Sequence, residues 1–377
     1  MSDQNIIVIN GNEFSFESGE TILDVARRNS IDIPTLCHLK GTTPTGACRV
    51  CVVEVEGARS LVASCAAPAS NNMIVRTETA PVIAARRMVL QLLLSSGNHN
   101  CAVSGSAGGN WTEFQLKVHQ SDKSSELCPV WGDCKLQELA FRYQVSGELF
   151  SPTETPYPME DVNHFILRDF SRCIQCGRCV QACNEVQVNQ AIHFGYRGAA
   201  TKIVAACDRP YKDSDCVFCG ECLQVCPVGA LVEKDARYRV RPWETQKVRT
   251  TCSYCGVGCQ IYLHVKNDQV VKISGVEEVA PNYGSLCVKG RFGYDFIHSP
   301  DRLTSPLIKE NSQFREASWE EALDLVAEKL GSTKSKHGSD SIGVLTSARI
   351  TNEDNYIAQK FTRAVLQTNN IDHCARL

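Results

Sequence analysis

The stretches Cys173-Ile-Gln-Cys176-Gly-Arg-Cys179-Val-Gln-Ala-Cys183 and Cys216-Val-Phe-Cys219-Gly-Glu-Cys222-Leu-Gln-Val-Cys226-Pro227 decide how this chain is read. Each is spaced C-x2-C-x2-C-x3-C, and the second repeats the first with a period of 43 residues. Three thiols packed within seven residues suit the corner irons of a 4Fe-4S cube, whereas a structural zinc takes four ligands in closed C-x2-C pairs. Where two such runs occur together, the fourth cysteine of each ligates the other cluster. The expected ligand sets are therefore Cys173, Cys176, Cys179 and Cys226 for one cube, and Cys216, Cys219, Cys222 and Cys183 for the other. Asn184 stands where Pro227 follows the second run, which loosens a turn without removing a ligand.

Residues 151–240 thus resemble a two-cluster bacterial ferredoxin domain. Upstream, residues 1–80 read as a small ferredoxin-like β-grasp domain: a strand from Ile6 to Asn10, a turn at Gly11-Asn12, a second strand from Phe14 to Phe16, and a short helix from about Thr21 to Asn29. Its Cys37, Cys48, Cys51 and Cys65 are spaced C-x10-C-x2-C-x13-C, with Gly46 and Ala47 keeping the loop tight, and four thiolates suit a 2Fe-2S centre. Residues 81–150 hold His99, Cys101, Cys128 and Cys134. They resemble the His-Cys-Cys-Cys 4Fe-4S domain of complex I large subunits, iron-only hydrogenases and formate dehydrogenases, with two departures. His99 lies two residues before Cys101 where the family has four and this chain has Gly97, and an insertion at about 102–127 separates Cys101 from Cys128. His119, inside the insertion, is the competing ligand.

Downstream, Cys252-Ser-Tyr-Cys255-Gly-Val-Gly-Cys259 and Cys287 are spaced C-x2-C-x3-C-x27-C and followed by Val288-Lys289-Gly290-Arg291. Gly256 and Gly258 let the backbone wrap a cube closely. Residues 245–300 resemble the N-terminal 4Fe-4S domain of molybdenum or tungsten bis-pterin enzymes, and that resemblance gives Lys289 the place between cluster and pterin, as an electron relay. The five groups use nineteen of the 21 cysteines and leave Cys207 and Cys374. The expected inventory is one 2Fe-2S and four 4Fe-4S clusters, an arrangement that moves single electrons between two redox partners.

From about Pro300 cysteine nearly disappears. Ser318-Trp-Glu-Glu321 is a capping box for a helix running to about Leu330 and ending at Gly331. Ser341 to Leu345 reads as a short buried strand, and Thr351-Asn-Glu-Asp354 caps a further helix with Ile357, Phe361, Ala364 and Val365 on one face. A strand, a polar loop and a helix open an α/β domain. The loop residues Ser347, Arg349, Asn352 and Glu353 are the candidates for holding a cofactor phosphate or amide edge. The overall fold class is α+β multi-domain, and residues 301–377 resemble the beginning of a molybdopterin oxidoreductase catalytic domain.

The runs Val288–Leu303, Ser347–Glu353 and Thr368–Leu377 resemble the catalytic subunit of metal-dependent formate dehydrogenase. That resemblance implies a Mo or W bis-molybdopterin guanine dinucleotide in the intact protein, oxidation of formate to carbon dioxide or its reverse, and a partner carrying flavin or another iron-sulfur group that reduces NAD(P). It also implies that the segment His373-Cys374-Ala375-Arg376-Leu377 is followed by a selenocysteine or cysteine ligand. A UGA codon after Leu377, read as a stop, is the expectation, with the 377 residues alone inactive. The alternative is a stand-alone electron-transfer adaptor of a complex I-like or hydrogenase-like assembly. Lys plus Arg is 39 and Asp plus Glu 42, a net charge of −3, which gives no reason to expect nucleic acid. The longest apolar run, near Met88 to Leu94, is too short for a membrane span, and MSDQNIIVIN has no export signal, so a cytoplasmic location is expected.

Overall fold

Alternation of Ile7 and Ile9, both fully buried, with outward-facing neighbours makes β1 (Ile6–Ile9) a strand with one core face. Asn10 and Gly11, both at positive φ, turn it back into β2 (Asn12–Ser15), one residue earlier than the Gly11-Asn12 turn expected from sequence. The computed structural model describes residues 5–97, 99, 128–145, 149–151, 157–239 and 241–374. Cys101, His119 and the insertion at 102–127 lie outside the described residues, as do Ala375, Arg376 and Leu377. The chain divides into two units, Met1–Glu244 and Thr245–Leu377.

The first unit opens with a five-stranded sheet ordered β2-β1-β5-β3-β4, in which β3 is Val52–Val55, β4 Val62–Ala63 and β5 Met73–Arg76. β1 and β5 are parallel and the other pairs antiparallel, with helix α1 (Ile22–Arg28) laid on the sheet as in a β-grasp. Thr21 and Asp24 form a reciprocal capping box at the start of α1, and Ile22, Leu23, Val25 and Ala26 fill the core against Val53 and Val75. Helices α2 (Ala80–Ser95) and α3 (Lys135–Arg142) then pack on one another.

Arg86 on α2 is completely buried. It donates from Nε to the Val50 carbonyl, from Nη2 to the Val52 carbonyl, and from Nη1 to Glu78 and to the Tyr143 hydroxyl. The ferredoxin-like portion has two antiparallel pairs: β6 (Ile166–Arg168) with β9 (Leu231–Glu233), and β7 (Ile192–Gly195) with β8 (Lys202–Ala205). Helices α4 (Arg178–Gln181) and α5 (Glu221–Gln224) each start from a left-handed glycine, Gly177 and Gly220, inside a cysteine run. Only a residue tolerant of positive φ turns the chain so sharply from ligand loop to helix.

In the second unit β10 (Gln246–Thr251), β11 (Gln260–Lys266) and β12 (Gln269–Gly275) form an antiparallel sheet, and the loop between β10 and β11 carries three cysteines. Cys287 is the N-cap of α6 (Val288–Phe292). A hairpin of β13 (Leu307–Glu310) and β14 (Gln313–Glu316) follows, then α7 (Trp319–His337), β15 (Val344–Ser347), α8 (Asn352–Phe361) and β16 (Ile371–Cys374). β15 and β16 are parallel, so β15-α8-β16 is a crossover unit.

Two expectations are corrected. α7 does not end at Gly331 but runs on to His337 and stops at Gly338, whose φ of 84° breaks the helix. A β-carbon at position 331 would meet no neighbour, and the basic last turn of Lys334, Lys336 and His337 suits the negative end of the helix dipole. The strand expected at Ser341 to Leu345 starts three residues later and ends two later, and Leu345 is 87% exposed in this chain. Its register follows pairing with β16, from Val344 opposite Ile371 to Ser347 opposite Cys374. Ile357, Phe361 and Val365 are likewise exposed.

Candidate functional site

The 2Fe-2S candidates converge at the edge of the β-grasp core. Cys37, Cys48, Cys51 and Cys65 are all buried. The Cys51 and Cys65 sulfurs are 3.4 Å apart, and the Cys48 amide donates to the Cys37 sulfur at 3.4 Å. The Arg86 guanidinium holds the carbonyls on both sides of Cys51. Thr43, inside the Cys37 to Cys48 loop, is gripped through its backbone: its amide donates to Glu185 at 2.7 Å, and its carbonyl accepts from the Gln181 side chain. Gln181 and Glu185 flank Cys183 in sequence, so the two ligand loops are clasped together.

Cys173, Cys176, Cys179 and Cys226 line one cavity in the ferredoxin-like portion, together with Arg168, Phe170 and Tyr211. Burial pushes the Cys173 thiol up to about 11 and that of Cys176 up to about 12, with Cys226 as a neighbouring contribution to both. Burial also holds Cys179 and Cys222 well above the ordinary thiol value. The Cys216 thiol is raised by burial and by Cys219 and Cys183 beside it. Thiolates so crowded and desolvated need compensating cations, which is the chemistry an iron cube supplies. Four thiols spread around a cavity fit such a cube. Among the described residues no three His, Cys, Asp or Glu side chains gather closely enough to hold a single ion.

His99, Cys128 and Cys134 line a second cavity with Trp131, Gln137 and Arg172. His99 Nε2 and Trp131 Nε1 are shielded from solvent with no hydrogen-bond partner among the described residues. Burial, and then Arg172 beside it, push the His99 imidazole down to about 4, so it is neutral and its ring nitrogen is available to a metal. The residues present fit a His/Cys cluster. A β-carbon at Gly97, at the position of the family's histidine, would lie 2.2 Å from the Ser171 carbonyl.

In the second unit Cys252, Cys255 and Cys259 sit on the β10–β11 loop, with Cys287 at the head of α6. Burial raises the Cys252 thiol, and Cys287 and Cys255 raise it further. Gly258 has a φ of 73°, and a β-carbon at Gly256 would lie 2.6 Å from Oδ1 at the end of the Asn352 side chain. Asn352 Nδ2 donates to the Gly256 carbonyl at 3.0 Å. Lys289 lies in the first turn of α6, exposed, with Nζ 5.8 Å from the centre of the Tyr254 ring. Ser347 Oγ accepts from the Arg349 amide at 3.0 Å, and Arg349 and Glu353 are exposed near the N-terminus of α8. The structure thus turns Asn352 toward the cluster loop and leaves Arg349 and Glu353 to solvent. Sequence reading missed Arg86, Arg168 and Tyr211, although the last two are separated by the same 43 residues as the cysteine runs.

Four family models match in order: a 2Fe-2S iron-sulfur cluster binding domain at residues 4–80, a 4Fe-4S dicluster domain at 172–230, a molybdopterin oxidoreductase Fe4S4 domain at 245–299, and a molybdopterin oxidoreductase domain at 302–377. The chain is 34% identical to "Putative formate dehydrogenase YrhE" of Bacillus subtilis over 98% of its own length and 39% of that protein. It is equally 34% identical to an NADH-quinone oxidoreductase subunit of Rhizobium meliloti, over 98% of its length and 40% of the relative. It therefore spans about two fifths of these relatives. Among solved structures, a chain of an NAD+-reducing NiFe hydrogenase in its H2-reduced state is 28% identical, with a TM-score of 0.50, over 63% of this chain and 91% of that one. No helix among the described residues is long and apolar enough to cross a membrane.

Proposed function

We propose, from the premise that the chain belongs to the molybdopterin oxidoreductase family with iron-sulfur domains, that it conducts electrons between a formate-converting pterin site and a partner subunit. The observation that carries the electron-transfer role is the cavity shared by Cys173, Cys176, Cys179 and Cys226, in which both cysteine runs contribute to one site. Each cluster takes one electron at a time, with burial and hydrogen bonds setting its potential. The proposed ligands are Cys37, Cys48, Cys51 and Cys65 for a 2Fe-2S centre, and His99, Cys101, Cys128 and Cys134 for a 4Fe-4S cluster. The two interleaved sets of the ferredoxin-like portion hold two cubes, and Cys252, Cys255, Cys259 and Cys287 hold the last.

A bis-pterin molybdenum or tungsten centre, when bound, supplies the two-electron chemistry at formate. This chain's contribution there is positional: Lys289, two residues after Cys287 at the head of α6, offers a cation near the last cysteine group, and Ser347, Arg349 and Glu353 offer polar contacts at the head of α8. The formate reading is supported by the name of the Bacillus subtilis relative and by the sequence runs that resemble formate dehydrogenase. The partner is a flavin and iron-sulfur subunit that reduces NAD(P), or another iron-sulfur subunit. The test is formate-dependent reduction of a viologen dye by the native complex containing this chain, with metal analysis for molybdenum and tungsten. Formate turnover supports the reading; cluster reduction by NADH or H2 alone, without formate turnover, favours the second reading. In that second reading the chain is an electron-transfer adaptor, supported by the likeness to a hydrogenase chain covering 91% of that chain's length.

A further inference from the structure

Arg168 and Tyr211 occupy equivalent places in the two halves of the ferredoxin-like portion, each five residues before the first cysteine of its run. In the fold they meet: the Arg168 guanidinium carbon lies 4.1 Å from the centre of the Tyr211 ring, and both side chains are almost wholly buried. Both also line the cavity that holds Cys173, Cys176, Cys179 and Cys226. Arg168 is anchored behind by Glu160 and by the Ile203 carbonyl. The Tyr211 hydroxyl has no acceptor among the described residues, and a guanidinium, having only donors, cannot serve as one. A buried hydroxyl without an acceptor is costly unless a further group meets it.

The period-43 equivalence also separates charge. Arg178 follows Gly177 in the first run, and Glu221 follows Gly220 in the second. The Arg178 charge acts on Cys176 and Cys226, two members of the same ligand set.

We propose that Arg168 and Tyr211 set the reduction potential of the cluster held by Cys173, Cys176, Cys179 and Cys226, the Tyr211 hydroxyl donating a hydrogen bond to one of its sulfurs. A donor to sulfur and a buried cation both favour the reduced cluster, which carries one more negative charge. Arg168 and Tyr211 therefore make this cube more easily reduced than it would be without them. The inference depends on the cluster assignment proposed above.

The test is an EPR-monitored redox titration of the full chain with reconstituted clusters, comparing wild type with Tyr211→Phe and Arg168→Lys. Tyr211→Phe removes only the hydroxyl, and the expected result is a fall of about tenfold in the reduction constant of one cube, about 59 mV for one electron, with iron content and the other signals unchanged. Arg168→Lys keeps the charge and is expected to retain most of the wild-type potential, whereas Arg168→Gln lowers it. Unchanged potentials in Tyr211→Phe, with all clusters present, overturn this inference alone. Wild-type protein lacking two 4Fe-4S signals from the ferredoxin-like portion overturns the cluster assignment itself.

Discussion

Arg86 and Tyr143, 57 residues apart, meet in the interior of the first unit, the guanidinium donating to the phenol oxygen at 2.9 Å. The same guanidinium satisfies the carbonyls of Val50 and Val52, so helix α2 fixes the backbone on either side of Cys51. Arg86→Met is expected to leave three buried polar groups unpaired and to destabilise this unit by about 3 kcal/mol or more. Denaturant titration followed by visible absorption of the 2Fe-2S chromophore checks it; an unchanged midpoint refutes it.

Asn352 and Gly256 form the corresponding tie in the second unit. Gly256→Ala drives a methyl group against the Asn352 amide and is expected to shift the g-values of the Cys252 to Cys287 cluster while sparing the other four. Asn352→Ala, which removes the bond without the clash, costs about 1 kcal/mol and should produce a smaller spectral shift. EPR of the two variants, side by side, separates the bond from the steric effect.

His264 gives the second unit a pH dependence. Its ring lies on β11 directly opposite Lys247 of β10 and Lys272 of β12, and burial first, then these two cations, push the imidazole from 6.5 down to about 4. Between those values the unfolded chain binds a proton that the folded chain refuses, so stability is complete above about pH 6.5 and is lost as pH falls toward 4. His264→Gln is expected to flatten that slope while keeping a polar partner for Ser274, which His264 Nε2 meets at 2.8 Å. Thermal melts at pH 7, 6 and 5 (chosen across that window) provide the measurement.

Iron removal is expected to unfold the ferredoxin-like portion and spare the β-grasp sheet. In residues 157–239 the strands are three or four residues long, and Cys173, Cys176 and Cys226 pack, partly buried, against the apolar cluster there. The β-grasp, by contrast, has a continuous apolar core of Ile7, Ile9, Ile22, Val53 and Val75. Chelation under oxidising conditions should therefore expose 157–239 to protease before 5–80. Intact protein should carry about 18 irons per chain.

Cysteine spacing made the cluster groups legible because ligands within ten residues are positioned by local loops, and Gly177 and Gly220 mark where those loops turn. Helix starts were legible for the same reason: Thr21, Ser318 and Thr351 each cap their helix through their own side chains. Helix α7 ran past Gly331 because one interior glycine costs only about 1 kcal/mol and nothing opposes its backbone there. Strand β15 was displaced because its register comes from β16, some 27 residues away. Arg86 and Arg168 were invisible for a different reason: in sequence each is one more surface charge, and only tertiary packing makes it an interior donor to backbone carbonyls.

The grip of Gln181 and Glu185 on Thr43 joins the Cys37 to Cys48 loop to the segment around Cys183. The Cys37 to Cys48 loop and the Cys183 turn are tied through one residue, Thr43, whose amide donates one hydrogen bond and whose carbonyl accepts another, so the spacing of the two proposed centres depends on that tie. A change in the length of that loop, whose ten residues separate Cys37 from Cys48, is expected to strain the tie at Thr43.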